Sequence, residues 1–401
     1  MWQKIKNVYH LLVAMLVNIL FWFPARSIKV IGVTGTDGKT TTVSLIAHIL
    51  EHSGHSASFL TSIGAVIGDK KLDTGFHVTT PSSFTLQKLL RYAVSKKSEY
   101  FVLEVTSHSI DQNRIWGIPF MVGILTNVTS EHMDYHKTYD NYLKTKEKLL
   151  TRAKIAITNK DDSSYTLLTQ ARNKKSKENF ITYGLSDSSD INPSNFKFNT
   201  ILLGDFNKYN ILAAASACKA LGIPEDKIKQ AIGTFKEPKG RLQFVYDRDF
   251  YVMIDFAHTP SAFENLLSSL RPIVKGKIIH VFGSAGDRDA SKRPYMGEIS
   301  GKYSDIVILT AEDPRGEDLN KLMDDIALGI KDSKAQVIRI PDRKEAIEGA
   351  IQMAKKEDLV LLTGKAHEKS MNMGHGEEPW DEFAVVKSAI EEKEKNGLQK
   401  N

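Results

Sequence analysis

A glycine-rich loop between a strand and a helix constrains this chain more than any other feature. The apolar run 28–33 predicts a buried strand, and the run 43–50 predicts a helix with one apolar face. Between them lies the loop Gly35-Thr-Asp-Gly-Lys-Thr-Thr41. Glycines let such a loop point its N–H groups at phosphate oxygens, and the helix adds its positive N-terminal end. The sequence therefore predicts a phosphate-binding loop, with Lys39 on the β/γ-phosphates and the Thr40 hydroxyl on Mg²⁺.

The glycines of this loop are spaced differently from the common pattern G-x-x-x-x-G-K-[ST]. That pattern requires glycine at position 33, where this chain has Val33, and the first glycine is instead Gly35. The tightened form T-G-T-x-G-K-T-T resembles the loop of the Mur ligase superfamily. The loop residues expected to bind ATP are Gly35, Thr36, Asp37, Gly38, Lys39, Thr40 and Thr41.

The composition narrows the class of protein. A chain of 401 residues exceeds one ordinary core and predicts two or three domains. The single cysteine, Cys218, excludes an internal disulfide and a zinc site built from several cysteines, and it fits a cytoplasmic location. The formal charge of +6 favours anionic ligands, but it is spread along the chain and does not indicate nucleic-acid binding.

An apolar segment, Val8–Phe23, precedes the first predicted strand. It is shorter than the roughly 20 residues that a membrane span needs. A signal peptide fits the pattern, but export would carry an ATP site away from ATP, so we reject that interpretation. Two interpretations stay open. The segment is either a helix packed on the nucleotide-binding domain or at an oligomer contact, or an interfacial helix in peripheral contact with the inner membrane face, with Trp22 among the headgroups.

The rest of the chain has the pattern of an α/β protein with two domains. Apolar strands alternate with helical runs over residues 28–238, which predicts a parallel sheet in a central ATP-binding domain. The chain begins with a short apolar helix over residues 1–27. A second, Rossmann-like alternation follows the central domain over residues 239–401, after a linker at 238–240. The predicted strands are Ile28–Val33, Tyr100–Val105, Val122–Thr126, Lys154–Thr158, Tyr251–Asp255, Lys277–Phe282, Asp305–Leu309, Ala335–Ile338 and Leu359–Leu362.

Polar groups follow two of these strands. Glu104 ends an apolar strand, and a carboxylate at the tip of a parallel strand beside a phosphate loop is well placed for Mg²⁺. The loop 126–136 follows another strand, and two histidines and two acids fall within its last six residues. Such a loop suggests ions or phosphate, although many loops are polar.

The order of the motifs resembles one family. In the first half, the phosphate loop precedes T-T-P (79–81), E-V-T-S-H-S (104–109) with Arg114, the loop 126–136, and Y-x-x-T-K (142–146). In the second half come G-D-F-N-K-Y-N (204–210), Gly240-Arg241, D-F-A-H-T-P (255–260), G-S-A-G-D-R-D (283–289), E-D-P-R (312–315) and G-K-A-H-E (364–368). This ordered set, over about residues 28–390, resembles the Mur ligases, and among them the branch that adds the third amino acid of the peptidoglycan stem.

The resemblance implies roles for individual residues. The catalytic residues would be Lys39, Glu104, His132 and Lys146. The two Mg²⁺ ions would be ligated by Thr40, Glu104, His132 and Lys146, with Lys146 carried as a carbamate that can ligate a metal. The remaining nucleotide contacts would be Asn207, Asn210, Arg241 and Asp255. The muramyl-peptide would be held by Thr79, Thr80, Ser107 and Arg114, and the incoming amino acid by Arg315, Gly364 and Glu368.

The resemblance also implies the reaction. ATP would phosphorylate a peptide carboxylate, and the amine of an amino acid, diaminopimelate or else lysine, would displace phosphate from the acyl phosphate. Mur ligases ordinarily carry a uridine-nucleotide-binding domain before the phosphate loop, and only 27 residues precede the strand here, so we expect that domain to be absent and a lipid-linked acceptor to be an alternative. Two other interpretations stay open: a ligase of the folylpolyglutamate or cyanophycin type, and an ATP-binding regulatory protein without catalysis.

Overall fold

The computed structural model describes residues 2–75, 79–129, 131–171 and 180–398. The chain divides into two compact units. The first unit comprises residues 1–202 and 206–238, and the second comprises residues 203–205 and 239–401.

The first unit is built on an eight-stranded sheet in the order β4-β3-β2-β5-β1-β6-β7-β8. Its strands are β1 (Lys29–Thr34), β2 (Ala57–Thr61), β3 (Gly64–Ile67), β4 (Lys70–Leu72), β5 (Tyr100–Glu104), β6 (Phe120–Leu125), β7 (Ile155–Asn159) and β8 (Phe180–Tyr183). Its helices are α1 (Trp2–Leu20), α2 (Lys39–His52), α3 (Ser83–Ser95), α4 (Ser107–Asp111), α5 (Met133–His136), α6 (Tyr139–Arg152), α7 (Ser164–Ala171), α8 (Asp205–Ala220) and α9 (Glu225–Thr234).

The first sheet confirms the predicted parallel strands. β1 pairs in parallel with β5 on one side and with β6 on the other, so the ends of these three strands meet at one edge. The pairings β2–β3 and β3–β4 are antiparallel, and these short edge strands were not predicted from the sequence. The central position of β1 places the loop that follows it beside Glu104, which ends β5.

Both faces of this sheet are buried, as a parallel sheet requires. Ile31 and Val33 of β1 belong to the apolar cluster that contains α2, α8 and α9. Val30, which points to the opposite face, belongs to the cluster that contains α3. The near-continuous apolar runs of the central strands therefore follow from coverage on both sides.

The first helix differs in its bounds from the apolar segment of the sequence. α1 begins at Trp2 and ends at Leu20, so the apolar residues 21–23 lie beyond it. Asn18 anchors the helix, because its buried side-chain amide donates to the carbonyl oxygen of Trp116 at 2.9 Å. Among the helices that the structure describes, none combines the length and apolarity that crossing a bilayer would demand.

The second unit holds a six-stranded sheet in the order β13-β12-β11-β14-β10-β9. The strands are β9 (Gln243–Asp247), β10 (Tyr251–Asp255), β11 (Ile278–Phe282), β12 (Ile306–Leu309), β13 (Gln336–Arg339) and β14 (Leu359–Thr363), and a small hairpin adds β15 (Ser370–Asn372) and β16 (Glu377–Pro379). The helices are α10 (Pro260–Leu270), α11 (Arg293–Tyr303), α12 (Leu319–Ile330), α13 (Arg343–Met353) and α14 (Glu382–Leu398). The edge strand β9 pairs antiparallel and the other five strands pair in parallel, so the Rossmann-like alternation is confirmed.

A histidine lies in the middle of this second sheet. His280 is fully buried, between the hydroxyl oxygens of Ser300, 2.8 Å from Nδ1, and Thr363, 3.0 Å from Nε2. Burial, and then the nearby Arg343 charge, lower the pKa of His280 to about 3. The imidazole is therefore neutral in the folded protein throughout the physiological range.

His280 should make the second unit acid-sensitive. Below about pH 6.5, His280 becomes protonated in the unfolded chain but stays neutral in the folded chain. The free energy of unfolding therefore falls by about 1.4 kcal/mol per pH unit because of this group, down to about pH 3. Urea-unfolding curves between pH 7.5 and 4.5 should show a shallower pH dependence in His280→Gln than in the parent. His375→Gln, at an exposed position, should leave the dependence unchanged. Equal slopes in parent and His280→Gln would refute the assignment.

Candidate active site

The loop between β1 and α2 is shaped by two glycines. Gly35 has φ +153°, and a Cβ there would lie 1.8 Å from Oγ1 of Thr126. Gly38 has φ +79° and forms the N-cap of α2, and a Cβ there would lie 2.2 Å from Oδ1 of Asn210. The backbone thus passes so close to its neighbours that no other side chain fits. This is the close approach that a phosphate-binding loop requires.

Residues after β6 hold the same loop from the other side. The N–H of Asp37 donates to Oδ1 of Asn127 at 2.9 Å, and Oγ1 of Thr126 donates to the carbonyl oxygen of Asp37 at 2.7 Å. The side chain of Lys39 turns back to donate to the carbonyl oxygen of Thr36 at 2.7 Å. Thr126 and Asn127 occur in the sequence motif, but their loop-fixing role becomes visible only when β1 and β6 are neighbours.

Gly38→Ala should disable the loop. The new methyl group would meet Asn210 at a backbone conformation that L-residues adopt only with strain, so the loop must shift. We expect at least about tenfold weaker binding of a fluorescent ATP analogue. Gly68→Ala is the matched control, since that glycine also has positive φ (+57°) but has open space around it. Equal nucleotide affinity for Gly38→Ala and Gly68→Ala would contradict the role of the loop.

A pair of oxygens lies at the start of α2. Oγ1 of Thr40 donates to Oε2 of Glu104 at 2.9 Å, and the backbone N–H of Ser62 donates to the same carboxylate oxygen at 3.1 Å. Both Thr40 and Glu104 are only 3% exposed. A hydroxyl and a carboxylate are hard ligands that suit Mg²⁺ completed by phosphate oxygens and water. Ser62 directly follows β2, and its hydroxyl also lies 3.2 Å from Oγ1 of Thr40. It was not predicted from the sequence, because its place in the site depends on the pairing of β2 with β5.

A buried lysine lies beside the loop. Nζ of Lys146 donates to the carbonyl oxygen of Gly35 at 2.6 Å and lies 4.3 Å from the ring centre of Tyr142. Burial, and then the charge of Lys39, hold the pKa of Lys146 well below its usual value, although Glu131 opposes the shift. An amine with a lowered pKa is more often neutral, and a neutral amine is the form that reacts with CO₂.

A cluster of histidines adjoins Lys146. The rings of His132 and His108 lie 5.0 Å apart, and Nε2 of His132 is 3.8 Å from Oε2 of the buried Glu131. Burial lowers the pKa of His132 to about 4 despite the Glu131 charge, so the ring is neutral, as a metal ligand must be. Within the described ranges, no group of three or more His, Cys, Asp or Glu side chains is arranged to hold a metal by itself.

The residues assigned to the muramyl-peptide are connected to Glu104. Oγ1 of Thr80 donates to the carbonyl oxygen of Glu104 at 2.9 Å, and Nη1 of Arg114 donates to the carbonyl oxygen of Thr80 at 2.8 Å. Oγ of Ser107 lies 3.0 Å from Nε2 of His136. Thr79 is half-buried and precedes Thr80 in the chain. Thr80 and Arg114 are thus tied to the backbone at the end of β5, beside the oxygen pair.

Asn207 and Asn210 come from the first turns of α8. Nδ2 of Asn210 donates to Oδ1 of Asn207 at 3.0 Å, and the hydroxyl of Thr42 donates to Oδ1 of Asn210 at 3.4 Å. Both asparagines are buried. This contact ties α8 to the start of α2, so both asparagines lie next to the phosphate loop.

In the second unit, Asp255 ends β10 and is held by backbone donors. Its Oδ2 accepts from the N–H of Leu242 at 2.8 Å, and its Oδ1 accepts from the N–H of Ala257 at 2.7 Å. The guanidinium carbon of Arg241 lies 4.7 Å from the ring centre of Phe256. Asp255 thus fixes the turn that carries Arg241, and the two predicted nucleotide residues of this unit are adjacent.

The residues assigned to the amino acid also converge within the second unit. Nζ of the buried Lys365 donates to Oδ1 of Asp313 at 2.9 Å and to Oε2 of Glu368 at 2.6 Å. Nη1 of Arg315 donates to the carbonyl oxygen of Gly286 at 3.0 Å, and Arg315 has φ +51°, a strained conformation for a side-chain-bearing residue. The strand ends β11, β12 and β14 thus bring three separate sequence motifs together.

Glu312 is a further member of this cluster, and it was not predicted as a site residue from the sequence. A Cβ on Gly364 would lie 2.0 Å from its Oε2, which is buried and has no hydrogen-bond partner. Burial raises the pKa of Glu312 to about 7, although Arg343, His258 and other cations oppose the shift. A buried carboxylate oxygen without a donor is well suited to accept from a ligand ammonium.

Comparison with known proteins identifies the family of this chain. Residues 33–218 match the family model described as the Mur ligase middle domain, and residues 240–366 match the Mur ligase glutamate ligase domain. The chain is 39% identical over 391 residues to a UDP-N-acetylmuramoyl-L-alanyl-D-glutamate–2,6-diaminopimelate ligase of Clostridium acetobutylicum, covering 92% of this chain and 79% of that protein. It is 38% identical to the ligase of the same name from Aquifex aeolicus, with the same coverage. The chain therefore belongs to the Mur ligase family and is an ATP-dependent acid–amino-acid ligase.

Two solved structures of Mur ligases share the fold of this chain. A UDP-N-acetylmuramoyl-L-alanyl-D-glutamate–2,6-diaminopimelate ligase superposes with a TM-score of 0.62 at 28% identity, covering 92% of this chain and 79% of that one. A MurF ligase from Thermotoga maritima in complex with ADP gives 0.67 at 18% identity, covering 95% of this chain and 84% of that one. The second likeness shows the fold alone. Within the family, the diaminopimelate-adding ligases of peptidoglycan synthesis thus resemble this chain in both sequence and fold.

Proposed function

We propose that the chain adds meso-diaminopimelate to the D-glutamate carboxylate of a muramyl-dipeptide, using ATP, in the cytoplasm where ATP is available. The main support for this reaction is that Lys39, the Thr40–Glu104 pair and Lys146 lie around one loop with the geometry of a phosphate-binding loop. The relatives at 39% and 38% identity are named for the same reaction. Lysine in place of diaminopimelate is the alternative amine.

The reaction joins two steps. A peptide carboxylate oxygen bonds to the γ-phosphorus, the bond to the ADP oxygen breaks, and an acyl phosphate results. The neutral amine then bonds to the acyl carbon, phosphate leaves with the electron pair of the C–O bond, and the amide nitrogen releases a proton. A carboxylate alone is a poor electrophile, and this exchange of leaving group makes the attack possible.

The residues of the loop supply charge and position. Lys39 would leave the carbonyl oxygen of Thr36 to neutralise the transferred phosphoryl group. Thr40 and Glu104 would hold one Mg²⁺, and His132 with a Lys146 carbamate would hold a second. Bound Mg²⁺ would neutralise phosphate charge and orient the phosphoryl group for in-line transfer. Thr80 and Arg114 would orient the acceptor carboxylate, because they are linked to the Glu104 backbone.

The second unit would select the amino acid. Arg315 can form a bidentate pair with a carboxylate, which favours diaminopimelate because it carries a second carboxylate beyond its reacting end. The buried, unpaired Oε2 of Glu312 would accept from an ammonium group. Asp313, Lys365 and Glu368 form the ion network that keeps this pocket in place.

Substrate-dependent phosphate release tests the proposal. The full chain is assayed with UDP-linked and lipid-linked muramyl-dipeptide, each combined with diaminopimelate, lysine or no amine. We expect ADP, phosphate and a product heavier by one diaminopimelate residue, in equal amounts. Product with lysine but not diaminopimelate would overturn the assigned amine. If no combination of acid and amine stimulates ADP formation, the ligase function is wrong.

A substitution tests the role of Arg315. If Arg315 binds the second carboxylate of diaminopimelate, Arg315→Lys should raise the KM for diaminopimelate, because lysine cannot form the bidentate pair.

A further inference from the structure

The outer face of α1 is apolar and exposed. Seven apolar residues recur on it at helical spacing with 55–68% of their surface exposed: Ile5, Val8, Tyr9, Leu12, Leu16, Ile19 and Leu20. At 3.6 residues per turn they form a stripe about 120° wide. Ala14, Val17 and Asn18 lie on the opposite side and are buried. A contiguous stripe of this kind marks an interaction surface rather than a stray exposed side chain.

An aromatic residue extends this stripe just beyond the helix. Trp22 is 85% exposed, the largest exposure among the large apolar side chains described. Trp22 and Phe23 have φ of 57° and 49°, so two successive side-chain-bearing residues adopt the left-handed conformation. That conformation is strained, and strain of this kind persists where the surrounding structure enforces it. The fold therefore holds a tryptophan in solvent at the end of an apolar face.

The two chain segments that carry and support this face have charges of one sign. Residues 1–36 and 74–98 together contain eight of the 54 basic residues of the chain and none of its 48 acidic residues. The second segment includes α3, the helix against which α1 packs. The exposed cations of the two segments are Lys6, Arg26, Lys29, Lys88, Arg91, Lys96 and Lys97. Positive charge that is spread along the sequence is thus concentrated here by the packing of α1 on α3.

We propose that α1, together with Trp22 and the exposed basic residues of segments 1–36 and 74–98, docks the protein on an anionic membrane surface. An apolar helix face with Trp at its end and cations around it matches the requirements of the membrane interface. A second copy of the chain fits less well, since a symmetric contact through this face would bring the same positive charges together. The cations instead complement lipid phosphates.

The helix that carries the docking face, α1, contacts the region of the residues assigned to the muramyl-peptide. Nδ2 of Asn7 donates to Oδ2 of Asp111 at 3.0 Å, and Nε2 of Gln3 donates to the hydroxyl of Tyr135 at 2.9 Å. Asp111 belongs to α4, which also carries Ser107, and Tyr135 lies 4.2 Å from His108 between ring centres. If the proposed function holds, the bilayer therefore lies next to the muramyl-peptide site and the docked enzyme can take a lipid-linked acceptor.

Vesicle flotation tests the docking without reference to catalysis. The full chain is mixed with vesicles of equal phosphatidylglycerol and phosphatidylcholine, or of phosphatidylcholine alone. A triple variant, Leu12→Ser/Leu16→Ser/Ile19→Ser, removes the stripe. Its matched control, Ile201→Ser/Ile273→Ser/Leu328→Ser, changes three apolar residues of similar exposure elsewhere. Because all six side chains are exposed, both variants should fold, which circular dichroism checks.

We expect the parent and the control to float with anionic vesicles, and the stripe variant to bind about tenfold less. Arg26→Glu/Lys88→Glu/Arg91→Glu should abolish binding to the anionic vesicles as well. Equal flotation of the stripe and control variants would overturn the proposal. So would a dimer in light scattering that dissociates in the stripe variant while no form binds vesicles. Soluble-substrate turnover of the stripe variant should match the parent, so failure of docking and failure of the ligase function remain distinguishable.

Discussion

Replacing Lys146 by Ala should reduce ligase turnover by about 10³-fold or more, which is the largest effect we expect from a single substitution. Lys146 is buried beside the phosphate loop, and alanine removes its contact with Gly35. Under the proposed function, it also removes the amine that would carry the carbamate. Lys144→Ala, two residues earlier on the same helix, is the control. Lys144 is exposed and pairs with Asp140 on the surface, so its loss should leave kcat within about twofold of the parent.

The carbamate has a signature that a structural lysine would lack. Turnover should fall in CO₂-depleted buffer and recover with bicarbonate, and ¹³C-bicarbonate should give a carbamate carbonyl signal in the parent that is absent in Lys146→Ala. Full activity of Lys146→Ala would remove the residue from the mechanism. Loss of activity without any dependence on CO₂ would assign Lys146 to positioning the loop through Gly35.

Replacing Lys39 by Ala should lower kcat by about 10³-fold, because a positive charge placed at the transferred phosphoryl group acts mainly in the transition state. The side chain begins α2 and needs only to leave the Thr36 carbonyl oxygen to reach a phosphate. We expect a much smaller change in the affinity for ADP than in kcat, since the backbone donors of the loop remain.

Two further variants serve as controls for Lys39→Ala. Lys71→Ala, at an exposed position on β4, should retain the kinetics of the parent. Lys39→Arg keeps the charge but not the shape of the ammonium, and should recover only part of the activity. A Lys39→Ala enzyme whose kcat equals that of the parent would show that the loop lysine does not contact the reacting phosphoryl group.

The sequence predicts the central strands well because their signal is local. Apolar runs such as Val30–Val33 and Leu359–Leu362 are buried on both faces, so periodicity and composition mark them without knowledge of their neighbours. The short strands Gly64–Ile67 and Lys70–Leu72 give no such signal, since they are only three or four residues long and exist through edge pairing. Packing of this kind depends on residues distant in the chain.

Some residues of the candidate site are predicted from sequence motifs, and others are visible only in the folded chain. Motif order brings out Lys39, Glu104 and Lys146, and the structure places them around one loop. Ser62 reaches the site only because β2 pairs with β5, and the unpaired carboxylate oxygen of Glu312 results from its burial against Gly364. Neither has a pattern along the sequence. The concentration of positive charge near α1 likewise needs the contact between α1 and α3.

Oxygen transfer from the acceptor to phosphate tests the central claim most directly. The acceptor is prepared with ¹⁸O in its reacting carboxylate and incubated with ATP, diaminopimelate and the full chain. If the carboxylate is activated as an acyl phosphate, one ¹⁸O atom must appear in each phosphate released, because the carboxylate oxygen bonded to phosphorus leaves with it. Phosphate without ¹⁸O, at equal ADP formation, would mean that ATP is hydrolysed by water or used on another group, and it would contradict the proposed reaction.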